Sequence, residues 1–471
     1  MVTEELCRLT AVEQAALIRG REISSVELVR AHLDRIEAHN PAVNAIVTLA
    51  PERALHEAHD ADRRLARGES PGPLHGLPVA HKDLHLTAGL RTTFGSPTLA
   101  DHVPDSDDLV VERLRAAGAI TIGKTNTPEF GAGSHTFNPV FGTTCNPYDL
   151  TRSAGGSSGG AAAALAAGFQ PIADGSDMGG SLRNPASFCN VVGMRPSAGR
   201  VPSWPSTFGF SGLSVQGPMA RTVSDVALTL SVMAGPDDRS PIALTTPGET
   251  FRAPLERDLT GLRVAWTPDF GGLVPVDPDV LAVLGRQVTA FEQLGCHVDD
   301  ACPDFTGADD VFRTVRAWQF AQAHGALVDR STEQVKESLR RNVEQGRALS
   351  GEDISRAEAL RTELFHRMRG FFTHYDVLLA PVCQVVPFDA ALEYPTTVAG
   401  TVQDDYLGWM RSCYVVSAVG NPALSVPGGF TADGLPVGLQ IIGPHRADLT
   451  VLQVAHAFER LTGHGHHAPA L

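Results

Sequence analysis

Apolar runs of strand length alternate with helical patterns along most of this chain. LRVAWTP, DVLLAPV and PVGLQIIG are runs typical of buried strands, and helical patterns lie between them. A helix that buries one stripe and a strand that needs cover on its faces must pack against each other in layers. The sequence therefore predicts an α/β fold in which helices cover a β-sheet.

The N-terminal region is predicted to be helical. ISSVELVRAHLDRIEAHN begins with Ser24 and Glu27 at capping-box spacing, and apolar residues follow on one helical face. A second, charged helix is predicted from about Glu52 to Arg67. We find neither an internal repeat nor a long low-complexity linker, which favours one large domain. The predicted organisation is a single domain over 1–471, with a helical N-terminal segment over about 1–70, a core over about 74–220 and a helical insertion over about 309–375.

The charge balance argues against two classes of partner. Thirty-eight Lys and Arg residues stand against 53 Asp and Glu residues, which gives a formal net charge of −15. Nucleic acids and anionic membranes attract basic surfaces, so neither is a predicted partner. The start, MVTEELCRLT, lacks a signal-peptide pattern, and the least polar stretch, 161–173, is interrupted by Gly168 and Pro171. Seven cysteines without a C-x-x-C pair are typical of free thiols, so a soluble cytoplasmic protein is predicted.

One segment satisfies the pattern of a phosphate-binding loop without its context. Gly118-AITI-Gly123-Lys124-Thr125 matches G-x-x-x-x-G-K-[ST]. That motif needs a strand before its first glycine and a helix after its Thr. Here a helix is predicted to end at Gly118 and a strand to run over Ala119–Ile122, so we do not predict nucleotide binding.

A second segment, Gly155–Gly159, satisfies the nucleophile-elbow pattern G-x-S-x-G around Ser157. An elbow needs a buried strand that leads into its serine. The segment that leads in here, CNPYDLTRSA, is polar and rich in turn-forming residues. This context disfavours an α/β-hydrolase, although the 18 histidines leave a His partner open.

A third set of residues is spread over about a hundred positions. It comprises Lys82 in GLPVAHKDL, Ser157 in SAGGSSGG and Ser181 in DGSDMGGSLRNPASF. Two glycines directly before Ser181 allow the backbone to approach a reacting atom and to align successive N–H groups. The predicted oxyanion hole therefore consists of the backbone N–H groups of Met178, Gly179, Gly180 and Ser181.

A serine nucleophile needs a proton acceptor, and Lys82 is the candidate. Lys82 ends a short apolar strand, where burial would favour its neutral amine. A neutral Lys82 can take the proton of Ser181 through Ser157 without any histidine. Each of the three motifs is weak alone, and a lysine at a strand end is usually only paired or partly solvated. Their joint occurrence carries the prediction.

The chain resembles the amidase signature family of serine amidohydrolases over most of its length, most densely from about Leu74 to Val201. The matching segments are GLPVAHKD, AAGAITIGKTNTPEF, RSAGGSSGGAAAALAAG, DGSDMGGSLRNPASFCNVVGMRPSAGRVP, VQGPMARTVSD, NPALSVP and GLPVGLQIIG. The resemblance implies a mixed, many-stranded β-sheet sandwiched between helices. It also implies that Lys82 is the base, Ser157 a relay that follows a cis peptide bond, and Ser181 the nucleophile.

The resemblance further implies hydrolysis of the C–N bond of a small or medium, neutral carboxamide through an acyl-enzyme, without a metal or an organic cofactor. Esters, anilides, hydrazides and carbamates remain open because the tetrahedral chemistry is shared. A second option is the glutamine-hydrolysing subunit of a tRNA-dependent amidotransferase, which belongs to the same family. The intact lysine and serines argue against an inactive binding scaffold. A homodimer is an open option.

Several neighbours of these residues carry separate hypotheses. The resemblance implies that Asp177 and Arg183 organise the site as a pair, and Ser158 either bonds near the relay or is only structural. Cys189 is interpreted as a buried structural residue. Four aromatic residues either line the substrate pocket or belong to the core, namely Trp318, Phe320, Tyr406 and Trp409. Three histidines are predicted to lie in a solvated tail rather than a metal site, namely His464, His466 and His467. The departures from the family pattern are His81, Leu84, Ser176, Asn190 and the segment MRPS at 194–197.

Overall fold

A computed structural model describes residues 3–471. The first two residues of MVTEELCRLT, which lacks a signal-peptide pattern, lie outside the described residues. The α-helices are α1 (Thr3–Arg8), α2 (Ala11–Arg19), α3 (Ser25–Val43), α4 (Pro51–Ala66), α5 (Leu109–Ala116), α6 (Gly159–Ala166), α7 (Arg183–Phe188), α8 (Val223–Met233), α9 (Pro278–Leu284), α10 (Val288–Gln293), α11 (Ala308–Ser331), α12 (Glu337–Ala348), α13 (Gly351–Phe371), α14 (Arg411–Val419) and α15 (Asp448–Thr462). The strands are β1 (Ile46–Leu49), β2 (Pro78–Lys82), β3 (Ile120–Thr125), β4 (Phe137–Asn138), β5 (Gly142–Thr143), β6 (Cys145–Asn146), β7 (Asp149–Ser153), β8 (Ile172–Asp177), β9 (Val192–Arg195), β10 (Val215–Ala220), β11 (Arg263–Trp266), β12 (His297–Asp300), β13 (Val377–Pro381), β14 (Thr397–Val398), β15 (Thr401–Val402), β16 (Ala423–Phe430) and β17 (Pro436–Ile442).

The largest sheet has eight strands in the order β12-β11-β13-β17-β16-β9-β10-β8. Its pairs β12–β11 and β11–β13 are parallel, and the remaining pairs are antiparallel. The three predicted strands β11, β13 and β17 lie side by side within it. Helices α7, α8, α9 and α15 contact its strands. This mixed sheet covered by helices confirms the predicted α/β fold.

A smaller sheet in the order β1-β3-β2 brings Lys82 to the site. Strand β3 is buried throughout, and it runs through three of the four variable positions of the phosphate-loop pattern and on through Gly123–Thr125. Lys124 donates from Nζ to Thr87 Oγ1 over 2.8 Å and to the carbonyl of His85. Its ammonium is therefore bonded within the fold, and no helix directly follows Thr125, which agrees with the rejection of a nucleotide site.

The N-terminal helices follow the sequence pattern closely. Helix α3 starts with the predicted capping box, in which the Ser24 hydroxyl accepts from Glu27 N–H and the Glu27 carboxylate accepts from Ser24 N–H. Helix α4 matches the predicted charged helix to within one residue at each end. Helices α11, α12 and α13 lie in the region predicted as a helical insertion.

Helix α6 packs against neighbouring backbone without intervening side chains, and this close packing holds the loop with Ser157 and Ser158 in place. All eight of its residues are buried. A Cβ on Gly160 would lie 2.3 Å from the amide nitrogen of Asn126 and 2.7 Å from the carbonyl oxygen of Ala45. Only glycine permits this approach, and it seats the helix directly against the chain after β3. Gly168, with φ +74°, follows the helix as predicted.

The predicted solvated tail agrees with the exposed side chains of His466 and His467, but it is wrong for the backbone of this segment, which the fold holds in place. Asn190 Nδ2 donates to the carbonyl of His464 over 3.0 Å and to that of His467 over 3.3 Å. The Tyr148 hydroxyl donates to the His467 carbonyl over 2.6 Å. Hydrogen bonds to the backbone, which the side-chain pattern does not show, fix this segment, and the His464 side chain is partly buried.

Two other kinds of feature are absent from residues 3–471. Within that range no cluster of three or more His, Cys, Asp or Glu side chains has the arrangement of a metal site. None of the helices there combines the length and apolarity needed to cross a bilayer.

Candidate active site

Three chain segments meet around the side chain of Lys82. It ends β2 and is fully buried. Its Nζ lies 2.8 Å from Ser157 Oγ and 2.9 Å from Ser158 Oγ, both in the loop before α6. The third neighbour is Ser176 Oγ in β8, at 3.1 Å. The structure thus brings the predicted lysine and relay serine into direct contact, and adds Ser176, which the sequence had marked only as a departure.

Burial determines the charge of this amine. Removal from water lowers the pKa of Lys82 to about 7, although the carboxylates of Asp177 and Asp174 act in the opposite direction. A large fraction of Lys82 is therefore neutral near pH 7. A neutral amine has one lone pair and two N–H bonds, so three hydroxyl partners allow it to accept one proton while donating two.

Ser157 and Ser181 line the same small cavity of about 120 Å³. The peptide bond between Gly156 and Ser157 is cis. The N–H of Ser158 donates to the Ser181 carbonyl over 3.1 Å, which links the two serine segments. Ser181 is 7% exposed and lines this cavity.

The structure corrects one member of the predicted oxyanion hole. Met178, Gly179 and Ser181 line the cavity, but Gly180 does not. The Gly180 N–H donates to Asp177 Oδ1 over 2.9 Å, so it is engaged by a carboxylate. We therefore remove Gly180 from the proposed donors. Its glycine is still needed, because φ is +114° and a Cβ would lie 2.5 Å from the Cβ of Cys413.

Asp177 and Arg183 form a buried pair beside Ser181. Arg183 Nη2 lies 2.9 Å from Asp177 Oδ1 and its Nε lies 3.0 Å from Oδ2. Arg195, in β9, adds a contact of 3.1 Å to Oδ1. Burial alone would raise the pKa of Asp177, but the two guanidinium groups hold it below the usual range. The carboxylate is thus ionised and fixes the turn that carries Ser181.

Sequence reasoning did not assign Asp174 to the site, and it noted His81 and the segment that contains Arg195 only as departures from the family pattern. Asp174 Oδ1 accepts the backbone N–H of Lys82 over 2.9 Å, and Oδ2 bonds to His81 Nδ1. Burial favours a raised pKa for Asp174, yet His81 and its other partners lower it to about 2. Asp174 lies in a strand of mixed polarity and Arg195 is the last residue of a four-residue strand, so neither carried a clear signal in the sequence.

The four aromatic candidates divide into two pairs. Phe320 and Tyr406 line the cavity beside Ser181. Trp409 is fully buried in the core and Trp318 contacts Phe208 outside this cavity, with ring centroids 5.5 Å apart. Cys189 is buried and its pKa is raised by burial, which matches the interpretation of an unreactive thiol.

A larger outer cavity of about 360 Å³ adjoins the small one. The two share lining residues, including Leu84, Phe130 and Met178. Aromatic rings line the shared region and the outer wall. Phe130 contacts His324 with ring centroids 4.8 Å apart, and His324 contacts Phe320 at 5.2 Å. A compound that enters here passes aromatic surfaces before it reaches Ser181.

Comparisons with known proteins agree on one family. A family model described as Amidase matches residues 27–452, a range that contains all residues of this site. The chain is 39% identical over 462 residues to an acylamidase of Rhodococcus erythropolis, covering 98% of this chain and 96% of that protein. It is 36% identical over 488 residues to a glutamyl-tRNA(Gln) amidotransferase subunit from Methylococcus capsulatus, covering 98% and 99%. A solved bacterial aryl acylamidase, assigned to the amidase signature enzymes, matches with TM-score 0.90 and 33% identity, over 97% of this chain and 96% of that one.

Proposed function

Because this chain belongs to the amidase signature family and is an amide-hydrolysing enzyme, we propose that it works through an acyl-enzyme on Ser181. In this proposal Lys82 is the base and Ser157 relays the proton. The observation that carries it is the 2.8 Å contact between Ser157 and a fully buried Lys82 whose pKa is about 7. A base with a pKa near the working pH transfers protons most effectively.

Each step uses groups of the chain itself. Ser181 Oγ attacks the acyl carbon while its proton passes to Ser157, and the proton of Ser157 passes to Lys82 Nζ. The N–H groups of Met178, Gly179 and Ser181 stabilise the oxyanion. The Lys82 ammonium then returns a proton through Ser157 to the leaving nitrogen, and the C–N bond breaks. Water attacks the Ser181 ester by the same route and releases the carboxylate.

Anilides are the second substrate candidate, ahead of esters, hydrazides and carbamates. The aromatic lining of the outer cavity, with Phe130, Phe320 and His324, suits a flat leaving amine. A related solved structure is that of an aryl acylamidase. A panel that compares the anilide and the hydrazide of one acyl group with a matched carbamate tests this ranking, and we expect the anilide to have the highest kcat/KM of the three.

A glutaminase subunit remains the alternative function. Several relatives at 34–38% identity are glutamyl-tRNA(Gln) amidotransferase subunits. Such a subunit would hydrolyse glutamine only weakly on its own. Hydrolysis of simple amides by the purified chain, with no gain on addition of candidate partner proteins, would rule this alternative out.

The decisive experiment for the mechanism is labelling with a fluorophosphonate, followed by intact-mass spectrometry and peptide mapping. We expect one adduct, on Ser181. We expect the Lys82→Ala variant to be labelled at least about 100-fold more slowly than the wild type. Ser355→Ala, on the exposed face of α13, is the control and should label like the wild type. An adduct on Ser157 would contradict the assigned roles. No adduct would favour a partner-dependent subunit or an inactive scaffold.

A further inference from the structure

The small cavity contains a buried cation that the proposed mechanism does not use. Arg316, in α11, lines this cavity together with Ser181 and is 4% exposed. Its guanidinium carbon lies 3.8 Å from the ring centroid of Phe320, so an aromatic face covers one side of the group. A buried arginine normally has a carboxylate partner, because desolvation of an unpaired charge is unfavourable.

The hydrogen bonds of Arg316 go to neutral groups. Nη1 donates to Asn342 Oδ1 and Nη2 donates to the hydroxyl of Tyr406. In residues 3–471 no carboxylate forms an ion pair with it. Burial accordingly lowers the pKa of Arg316. No carboxylate in that range is thus paired directly with the guanidinium, although the charge of Asp405 acts on it from a distance.

Asp405, whose charge acts on Arg316, and Asp309 are both held by other cations. Asp405 accepts from Arg313 Nη1 over 2.6 Å, and Asp309 accepts from Arg313 Nε over 3.1 Å. Asp309 also lies 3.5 Å from Arg411 Nε. Two arginines, Arg313 and Arg411, thus occupy these two carboxylates, and Arg316, which lines the cavity, pairs with neither.

Tyr406 supplies a second donor. Its hydroxyl oxygen accepts from Arg316 and from Asn342 Nδ2, the latter over 3.2 Å. A tyrosine hydroxyl has two acceptor positions and one proton, so both acceptor positions are filled. No acceptor among the described residues takes the remaining proton. Because Tyr406 also lines the cavity, this proton is available to a bound molecule.

We propose that Arg316 and Tyr406 form an anion-binding subsite, and that the preferred amide carries a carboxylate on one of its two halves. This inference rests on the proposed function of Ser181, and it revises the neutral substrate expected from the sequence. Guanidinium and hydroxyl donors without a competing acceptor match the geometry of a carboxylate. Binding of the carboxylate would orient the amide carbonyl toward Ser181 and Gly179.

Matched substrate pairs test the subsite. Succinamate, glutaramate and adipamate are compared with butyramide, pentanamide and hexanamide, so that each pair differs only in a terminal carboxylate. N-butyrylglycine against N-ethylbutyramide tests a carboxylate on the amine half. We expect the wild type to have a higher kcat/KM for the acidic member of at least one pair. Arg316→Met should lower that value about 10- to 100-fold, the range for a charged hydrogen bond, and change the neutral member less than threefold.

Further variants separate recognition from folding. Tyr406→Phe should lower kcat/KM several-fold for the acidic member alone. The kcat/KM of Arg316→Lys for the acidic member should lie between those of the wild type and Arg316→Met. Arg367→Met, which removes an arginine on the outer part of α13, should leave both members unchanged. Wild-type preference for every neutral member, or an equal loss on both members in Arg316→Met, would overturn the proposal.

A binding measurement keeps the subsite distinct from the catalytic proposal. Calorimetric titration of succinate, glutarate and adipate into wild type and Arg316→Met needs no turnover. If no amide is hydrolysed but the wild type alone binds one of these dicarboxylates, the proposed catalysis fails and the subsite stands. Equal binding by both proteins, or by neither, would refute the subsite even if Ser181 is the nucleophile.

Discussion

At the scale of single residues, burial lowers the pKa of the Lys82 amine, and this suits the side chain to its proposed role as the base. Its three hydroxyl neighbours come from two segments that follow it by 75 to 94 positions, and the sequence pointed to one of them as its partner. That Lys82, Ser157 and Ser181 belong to one site was predictable from the joint occurrence of three motifs and from the family resemblance, although each motif is weak alone. Asp174 was not, because nothing local in IADGSD shows that its partner lies 93 positions away in β2.

The pKa of Lys82 predicts the pH dependence of the reaction. Below about pH 7 the amine is protonated and cannot accept the proton of Ser157, so activity should fall about tenfold for each pH unit. Above pH 7 the rate should reach a plateau. The measurement is kcat/KM from pH 5 to 9 with an uncharged amide, in buffers of constant ionic strength. A flat profile over this range would contradict a lysine base.

At the scale of elements, β2 and β8 belong to different sheets, and His81 and Asp174 join them. The longer strands and helices were predictable from their patterns, as α3, α4, β11, β13 and β17 illustrate. Strands of two residues, such as β4, β5 and β6, carry no periodicity, so they were missed. Strand β7, which precedes the serine loop, is partly exposed and paired with β6, and its polar residues predicted only a turn.

The joint between β2 and β8 gives a prediction about stability. His81→Leu leaves the Asp174 carboxylate buried without that partner and should lower the free energy of unfolding by about 3–5 kcal/mol. The double variant His81→Leu/Asp174→Leu removes the charge as well. It should lose only about 1–3 kcal/mol, because the Lys82 N–H then lacks its acceptor. Urea unfolding of the three proteins measures this, and a double variant less stable than His81→Leu would refute it.

At the scale of the whole molecule, the order of strands in the large sheet could not be predicted from the sequence. Neighbouring strands such as β9 and β16 lie more than 200 positions apart, and only tertiary packing decides which edges meet. The same holds for the C-terminal segment. Its backbone carbonyls are bound by Tyr148 and Asn190, which lie far earlier in the chain.

Removal of residues 464–471 should therefore destabilise the protein without removing a group of the site. The deletion loses the hydrogen bonds from Tyr148 and Asn190, at about 0.5–1.5 kcal/mol each, so the free energy of unfolding should fall by about 2–4 kcal/mol. Calorimetry should show a lower unfolding midpoint, with kcat at 25 °C retained. His466→Ala, at an exposed position of the same segment, should match the wild type.

The buried joint between His81 and Asp174 also bears on how this chain can change over time. A substitution at either position alone leaves a buried charge or ring nitrogen without its partner. Each single substitution is therefore disfavoured unless the other position changes as well. Positions 81 and 174 are thus tied as an epistatic pair, and across relatives their residues should covary. Transfer of the strand that carries the lysine from one relative to another should therefore preserve stability only when the residue at position 174 is transferred as well.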